Sequence, residues 1–531
     1  MTTTAPPAQP DPQLPHERAA DQLAAQLTGP LFRPGDAGYD AERATYNSAV
    51  QHRPALIAGV ADAADVCAVV AFAAARGLPL AVQATGHGQA VAASGGVLVS
   101  TRRLRGVRVD PAAATAWIGA GERWGAVVAA TAPHGLAPLN GSAPHVGVVG
   151  YLLGGGIGLL ARRYGYAADR VRTIEVVTPD AVLRQVTAAG EPDLFWALLG
   201  GRDNFGVVTR VEVELVPVDR LYGGGLYFDA GAVGAEVLRA YRDWTADLPD
   251  ALTSSLALFP VPDVPGAPAP LRGRLVAHVR IAHTGSVEEG ERLVQPLRAV
   301  APRLLDTLAE LPYADSASIF QEPTDPMPYD GDSVLLDALT PELLTAIGEA
   351  TRPGGVPCIV ELRHLGGALT RRGAAANAIG LRDAGYLLGV ISPLRPPLTR
   401  EAIRPVHERL LSAAAPATVG RSLTFMGPSG VRAAGAGAVG GVDTAGAEST
   451  ADGAGAAGAA DAGRPADAAD LLVRSAYEPA DHARLRALKA LYDPQNLFRH
   501  NHNIRPADDD RPRAVADAGA DAGVGRADAG A

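Results

Sequence analysis

The sequence predicts an α+β chain of two structural units, and three observations carry that prediction. Residues 54–82 read as strand, helix, strand, with the helix presenting one apolar stripe that must cover a sheet. Beyond Pro217 the texture changes to alternation with period two, as in Leu275, Ala277, Val279 and Ile281, which marks half-buried strands. A chain of 531 residues also exceeds what one hydrophobic core usually organises.

In the first unit, PALIAG forms a strand, Asp62 caps a helix carrying Val66, Val69, Val70 and Ala73, Gly77 stops it, and LPLAVQ returns as a second strand. Strand-like runs follow at 97–100, 107–109 and 115–120, then a helix containing Trp124 and a strand at 173–178. Together they predict one sizeable sheet whose connections hold the glycines. In the second unit Ser286 and Glu289 open a helix as a capping box, and the runs 358–363 and 386–391 add strands. Helices on one face of an antiparallel sheet are the expected arrangement.

Three segments fall outside this pattern. Residues 1–28 are polar and Pro-rich and read as a flexible lead-in. Residues 433–468 and 507–531 are almost entirely Ala, Gly, Asp and small polar residues, too poor in large apolar side chains to offset the entropy of ordering, so both are expected to be disordered. Between them residues 471–504 regain large apolar residues at helical spacing, Leu485, Leu488 and Leu491, and should fold back onto a domain.

Charge and cysteine content narrow the function. With 47 Lys and Arg against 57 Asp and Glu the net charge is −10, and no basic block offers itself to a phosphate backbone, which argues against nucleic acid. Cys67 and Cys358 stand far apart, so neither a disulfide framework nor a four-cysteine zinc site is available. The first twenty residues lack the basic start and apolar core of a secretory signal, and no apolar run reaches about 18 residues. The expectation is a cytoplasmic protein with no membrane partner.

Four glycine-bearing segments carry the chemistry. In QATGHGQA, residues 83–90, Gly86 and Gly88 flank His87 directly after a strand, where successive backbone N–H groups can approach a diphosphate without a basic side chain. Residues 141–165, GSAPHVGVVGYLLGGGIGLLARRYG, offer an open backbone at Gly147, Gly150, Gly154, Gly155, Gly156 and Gly158 against which a flat ring could lie. Gly156, Gly158 and Ala161 also match a dinucleotide fingerprint, but they lack the preceding strand and lie past the first strand–helix–strand unit. A third segment, 194–215, joins an apolar helix to a strand through Gly200, Gly201, Asn204 and Gly206; the fourth is YDPQNLFRHNHNI, 492–504. Its His500 and His502 lack a third ligand nearby, so no metal is assigned.

In this order and spacing the four segments resemble the berberine bridge enzyme-like FAD-linked oxidoreductases, whose FAD domain is of the p-cresol methylhydroxylase type, within the vanillyl-alcohol oxidase superfamily. The resemblance spans about residues 29–506 apart from the low-complexity insert. It implies a two-part FAD-binding domain, residues 29–219 with the return at 469–506, around a substrate domain at 220–432 built on an antiparallel sheet covered by helices. By position it assigns the cofactor to Ala84, Thr85, Gly86, His87, Gly88 and Gln89 and to Ala143, Val146, Gly147, Gly150, Tyr151, Gly154, Gly155 and Gly158. Asn204, Gly206, Val208, Asn501 and Asn503 complete the set.

In this family the histidine of the Gly-His loop bonds to the 8α-methyl carbon of the flavin, which places the tether on His87. Bicovalent members add a cysteine where this chain has Ala143, so one bond is expected. The usual loop reads Arg-Ser-Gly-Gly-His-Ser; Gln83, Thr85 and Gly88 depart from it, as does the Arg202–Asp203 pair where glycine is common. Tyr151 falls beside the expected ring position, with packing as its alternative role. The tyrosine of a Tyr-x-Asn stretch used as base by some members is replaced in RSLTFMG by Ser422, with Thr424 in place of the Asn, which leaves Tyr386, on a strand expected to line the site, as the candidate base. The resemblance implies a flavin oxidase that takes a hydride from an alcohol, a sugar hydroxyl or a complex natural product and is reoxidised by O2. A dehydrogenase with another acceptor and a non-catalytic flavoprotein that sequesters a small molecule are the alternatives.

Overall fold

The computed structural model describes residues 14–89, 91–422, 424–426 and 465–507. Three sheets organise them. The first runs β1 (Leu31–Phe32), β2 (Leu56–Gly59), β3 (Leu80–Gln83) and β4 (Val97–Ser100) in the order β1-β2-β4-β3, with β4 parallel to both neighbours. The helix Ala63–Ala74 crosses between β2 and β3, its Asp62 cap accepting from the N–H of Asp65, and buries Val66, Val69, Val70 and Ala73.

The second sheet is antiparallel: β5 (Val107–Asp110), β6 (Thr115–Gly119), β7 (Val171–Val177), β8 (Leu183–Thr187) and β9 (Val207–Glu214), in the order β5-β6-β9-β7-β8. The single sheet expected for this part of the chain is therefore two. The reason lies after β4, where residues 101–106 turn the chain and β5 pairs with β6 instead of extending the parallel ladder.

The third sheet is antiparallel throughout and contains β10 (Arg220–Asp229), β11 (Leu252–Pro260), β12 (Leu275–His283), β13 (Leu305–Asp306), β14 (Ala309–Pro312), β15 (Tyr329–Leu336), β16 (Ile359–His364), β17 (Tyr386–Pro393) and β18 (Thr418–Gly420). Its spatial order is β13-β10-β12-β11-β16-β17-β15-β18, with β14 beside β10. Four helices, Ala230–Thr245, Val287–Arg298, Pro341–Ala350 and Arg400–Ala414, cover one face. Leu256, Val279, Leu362 and Leu388 point into that helical layer against Tyr241, Val294, Ile347 and Leu410. Burying such a side chain contributes about 1.5–3 kcal/mol. The opposite face is left for the site.

Two segments are more ordered than the sequence suggests. From Leu14 to Ala24 the supposed lead-in is a helix, and its Ala20 and Leu23 pack on the Ala63–Ala74 layer. The low-complexity insert likewise ends early, because a helix begins at Pro465 and runs to Arg474. The remaining parts of these three segments, 1–13, 433–464 and 508–531, lie outside the described residues. No helix among the described residues is long and apolar enough to cross a membrane.

The chain then returns to its beginning. The helix Pro479–Tyr492 packs Leu485 and Leu488 inward while Leu491 points to solvent, 69% exposed, because the third turn has rotated off the buried stripe. Leu80 in β3 donates its N–H to the carbonyl of Leu497 at 2.8 Å, so the C-terminal segment extends the first sheet. Lys489, with no solvent exposure, fixes the junction: its Nζ donates to Asp493 Oδ2 at 2.7 Å, to the Asn204 carbonyl at 2.6 Å and to the Phe498 carbonyl at 3.0 Å. Asp493 in turn accepts from the N–H groups of Leu497 and Phe498. Replacing Lys489 by Met strands a buried carboxylate, and urea unfolding should show a loss of about 3–5 kcal/mol. A loss under about 1 kcal/mol would mean that Asp493 finds another partner.

Candidate active site

A cavity of about 440 Å³ lies between the first two sheets and the open face of the third. Its wall on one side is the loop after β3, where Ala84, Thr85, Gly86, His87, Gly88 and Gln89 all face it. His87 is held by neighbours on both sides. Its ring stacks on Tyr46 with centroids 4.1 Å apart and lies 4.8 Å from the ring of His145. Its Nδ1 sits 2.9 Å from Thr85 Oγ1, which also accepts from the Gly147 N–H at 3.3 Å. Nε2 is buried with no hydrogen-bond partner. Burial, with His145 and Arg123 nearby, pulls the His87 pKa down to about 3, so the imidazole is neutral at pH 7.

The floor is the glycine-rich stretch, from which Ala143, Val146, Gly147, Gly150 and Tyr151 reach the cavity; Gly206 and Val208 add to it from the start of β9, and Asn501 from the C-terminal return. Gly150 has open space where a side chain would stand. The other assigned residues do not line the cavity, and all but Asn503 have a structural task instead. Gly154 approaches Thr424, which donates to its carbonyl at 2.6 Å, and Gly155 packs against Tyr166 and Ile379. A Cβ on Gly156 would collide with the ring of Tyr151, and one on Gly158 with the Asn140 carbonyl. Part of the glycine pattern that reads as room for a ligand is thus room for a tyrosine. Asn204 is buried as a strut, donating to the carbonyls of Gly201 and His502 and accepting from the Ile504 N–H at 2.9 Å. Asn503 stays off the cavity wall.

Tyr151 packs edge-on to Trp124 with centroids 5.4 Å apart. Its buried hydroxyl has no partner, and burial pushes the phenol well above its ordinary value, so it stays protonated. Tyr386, the candidate base, is turned the other way. Along β17 the residues Leu387, Gly389 and Ile391 face the cavity, whereas Tyr386, Leu388 and Val390 enter the helical layer. The Tyr386 hydroxyl lies 2.6 Å from that of Thr245, on the first covering helix. A strand places neighbours on opposite faces, so being on the right strand was not enough.

The same alternation supplies what Tyr386 does not. Glu361 and Arg363, two apart on β16, and Arg280 on β12 face the cavity and form one ion cluster. Arg280 Nη1 lies 2.5 Å from Glu361 Oε1, and Arg363 Nε lies 2.8 Å from Glu361 Oε2. Burial alone would raise the Glu361 pKa, but Arg363 and Arg280 together hold it below its ordinary value. The carboxylate is therefore ionised at neutral pH. Glu322, whose Oε1 accepts from Ser142 at 3.2 Å, is a second acid on the wall. The Glu-x-Arg spacing in a strand was visible in the sequence; that Arg280 would face it needed the sheet order. His145 lay inside a quoted motif and Tyr46 outside all four.

The residues present fit an FAD. The cavity joins an uncharged end at Tyr46, His87 and His145 to a charged end at Arg280, Glu361 and Arg363, and the Thr85–Gln89 loop presents backbone to it. Two family models match the chain: an FAD binding domain over residues 54–187, and "Berberine and berberine like" over 468–505. Together the two matches support a berberine bridge enzyme-like FAD-linked oxidoreductase. It is 28% identical over 506 residues to (R)-6-hydroxynicotine oxidase of Paenarthrobacter nicotinovorans, covering 92% of this chain and 99% of that one. An FAD-linked oxidoreductase of Dictyostelium discoideum is 25% identical over 353 residues, 65% of this chain and 75% of the other.

Solved structures agree on the architecture. 6-Hydroxy-D-nicotine oxidase from Arthrobacter nicotinovorans superposes with a TM-score of 0.71 at 25% identity, over 90% of this chain and 98% of that one. Xylooligosaccharide oxidase from Myceliophthora thermophila C1 gives 0.74 at 18% identity, over 92% and 100%, a likeness of fold. This FAD-linked oxidoreductase therefore has the p-cresol methylhydroxylase-type α+β fold that its motifs imply.

Histidine burial gives the protein a pH signature. Besides His87, burial lowers His364 and His502 to about 3 and His52 and His407 to about 4. In the unfolded chain each titrates near 6.5, so the unfolded state takes up protons first as pH falls. Stability due to these rings is present above about pH 6.5 and is lost as pH drops toward 4 and then 3. Thermal unfolding between pH 7 and pH 5 should show a falling Tm, with proton uptake at pH 5 approaching one for each of these histidines. A flat Tm over that range would contradict neutral, buried rings.

Proposed function

We propose that this chain is an FAD-linked oxidase that carries its flavin on His87 through a single bond and oxidises a small organic substrate bound against the Arg280–Glu361–Arg363 face. The observation that carries the reading is His87 itself: a neutral, stacked imidazole whose Nε2 is buried at the cavity wall with nothing to bond. The Thr85 hydroxyl at Nδ1 orients the ring and leaves the lone pair of the other nitrogen available. Ala143 in place of a cysteine leaves no second attachment point in that loop.

FAD held there would supply the acceptor for a substrate hydride, with O2 as the oxidant that restores it. The chain's own residues do the rest. Glu361, ionised between two guanidiniums, accepts the proton of a substrate hydroxyl or amine as the neighbouring C–H bond gives up its hydride. Arg280 and Arg363 fix that carboxylate in place and favour negative charge developing beside it. Tyr151 stays protonated and closes the floor. The apolar walls, including Val82, Val149, Leu153 and Ile157, exclude water. A hydroxyl or amine on a ring-bearing natural product suits these groups, and the names of the relatives, a hydroxynicotine oxidase and a xylooligosaccharide oxidase, point the same way.

An absorbance spectrum before and after acid precipitation tests the tether. Yellow colour should stay with the pellet, and His87→Ala should release it or fail to hold it; acid-soluble flavin in the unaltered protein would remove the His87 bond. With a substrate found from a screen of amines, alcohols and sugars, Glu361→Gln should slow anaerobic flavin reduction by about 10²–10⁴-fold while the bound flavin remains. Reduction at the unaltered rate would take the base role from Glu361.

A further inference from the structure

Behind the ion cluster lies a second, smaller space of about 20 Å³. Ser142, Ile157, Arg280 and Arg363 wall both it and the main cavity, so it is a side chamber of the site. Sheet register builds its back wall. Ser255 on β11 pairs with Arg280 on β12 and with Arg363 on β16, which sets a serine between two guanidinium-bearing residues in one row on the cavity face. The Ser255 hydroxyl is buried and has no hydrogen-bond partner.

The chamber therefore offers donors. Two guanidiniums can only donate, and the serine hydroxyl can turn to do so. The acids nearby, Glu361 and Glu322, lie off the chamber wall; each Glu361 oxygen is taken by a guanidinium, and Glu322 Oε1 accepts from Ser142. A buried hydroxyl without a partner costs about 1–3 kcal/mol, and the guanidiniums beside it favour an occupant that accepts. A single water needs about 10–15 Å³ of such space, so only one oxygen-bearing end group fits while the rest of the molecule stays in the main cavity.

We propose that this chamber is a substrate subsite for a carboxylate or carbonyl oxygen, anchored by Ser255, Arg280 and Arg363. The inference rests on the oxidase reading above and names the class of substrate it takes: an amine or alcohol that also bears an oxygen acceptor at its far end. Anchoring that end in the chamber directs the remaining part of the molecule across the main cavity.

Calorimetric titration of the holoprotein with benzoate, benzamide and benzylamine tests this, since the three share one ring and differ in the end group. Benzoate should bind at least tenfold more tightly than benzylamine, with benzamide between them. Ser255→Ala should weaken benzoate about tenfold, the worth of one hydrogen bond to a charged group. Ser255→Val, which fills the chamber, should abolish the preference while the flavin absorbance stays unchanged. Equal binding of benzoate and benzylamine, or a preference that survives Ser255→Val, would overturn the subsite and leave the flavin reading standing. Colourless protein that still prefers benzoate would do the reverse, because calorimetry reads binding whether or not flavin is present.

Discussion

The site depends on a lysine that water cannot reach. Lys489 comes from the last helix, yet its ammonium group donates to the backbone of Asn204 in the first part of the chain and to that of Phe498 beyond its own helix, with Asp493 as counterion. An isolated buried cation would be expensive, and a buried ion pair earns its place only when its remaining hydrogen bonds are satisfied. Here they are, on both partners. The consequence is positional: Asn204 is fixed, it holds the backbone of His502 and Ile504, and Asn501, next to His502, is delivered to the cavity wall. The two chain ends act as one body because of a few charge-assisted contacts at this junction, and the cavity they share with the middle sheet inherits its shape from them.

A second constraint is the period of a strand. The third sheet separates a helical core from a reactive face, and each strand contributes to both by alternation. Apolar side chains occupy the helix side almost without interruption, whereas the cavity side collects Ser255, Arg280, Glu361 and Arg363 across three neighbouring strands. Charged residues at those positions would be destabilising in a packed sheet interior. They are tolerated because they pair with one another, and because the space in front of them is a cavity.

The fold was largely legible in the sequence, since strand–helix–strand periodicity, the switch to period-two alternation and the late return of apolar residues are all local signals. The loop at His87 was legible for the same reason: a histidine between glycines after a strand is a local pattern. What escaped depends on distant pairing. Tyr386 was placed on the correct strand, but which of its two faces looks outward is set by register against β15 and β16. The glycines at 156 and 158 were visible, yet their purpose, to clear space for the Tyr151 ring and the Asn140 carbonyl, is a matter of packing. Leu14–Ala24 is helical because Ala20 and Leu23 find a surface to cover, which no composition count reveals.

Charge is distributed across the cavity in a way that separates its tasks. Around His87 the environment is aromatic and removes charge: stacking on Tyr46, burial and the neighbouring His145 all favour the neutral imidazole, the form with a lone pair to share. At the opposite wall, guanidiniums favour the charged form of Glu361, the form that can take a proton. Exchanging the two environments would disable both groups, since a protonated histidine cannot act as a nucleophile and a protonated glutamic acid cannot act as a base. Low dielectric in the enclosed space strengthens each bias without requiring a water to reorganise during the reaction. The proposed covalent attachment and the proposed proton transfer are thus compatible in one cavity at the same pH, because burial without a counterion acts at one end and burial with two counterions at the other.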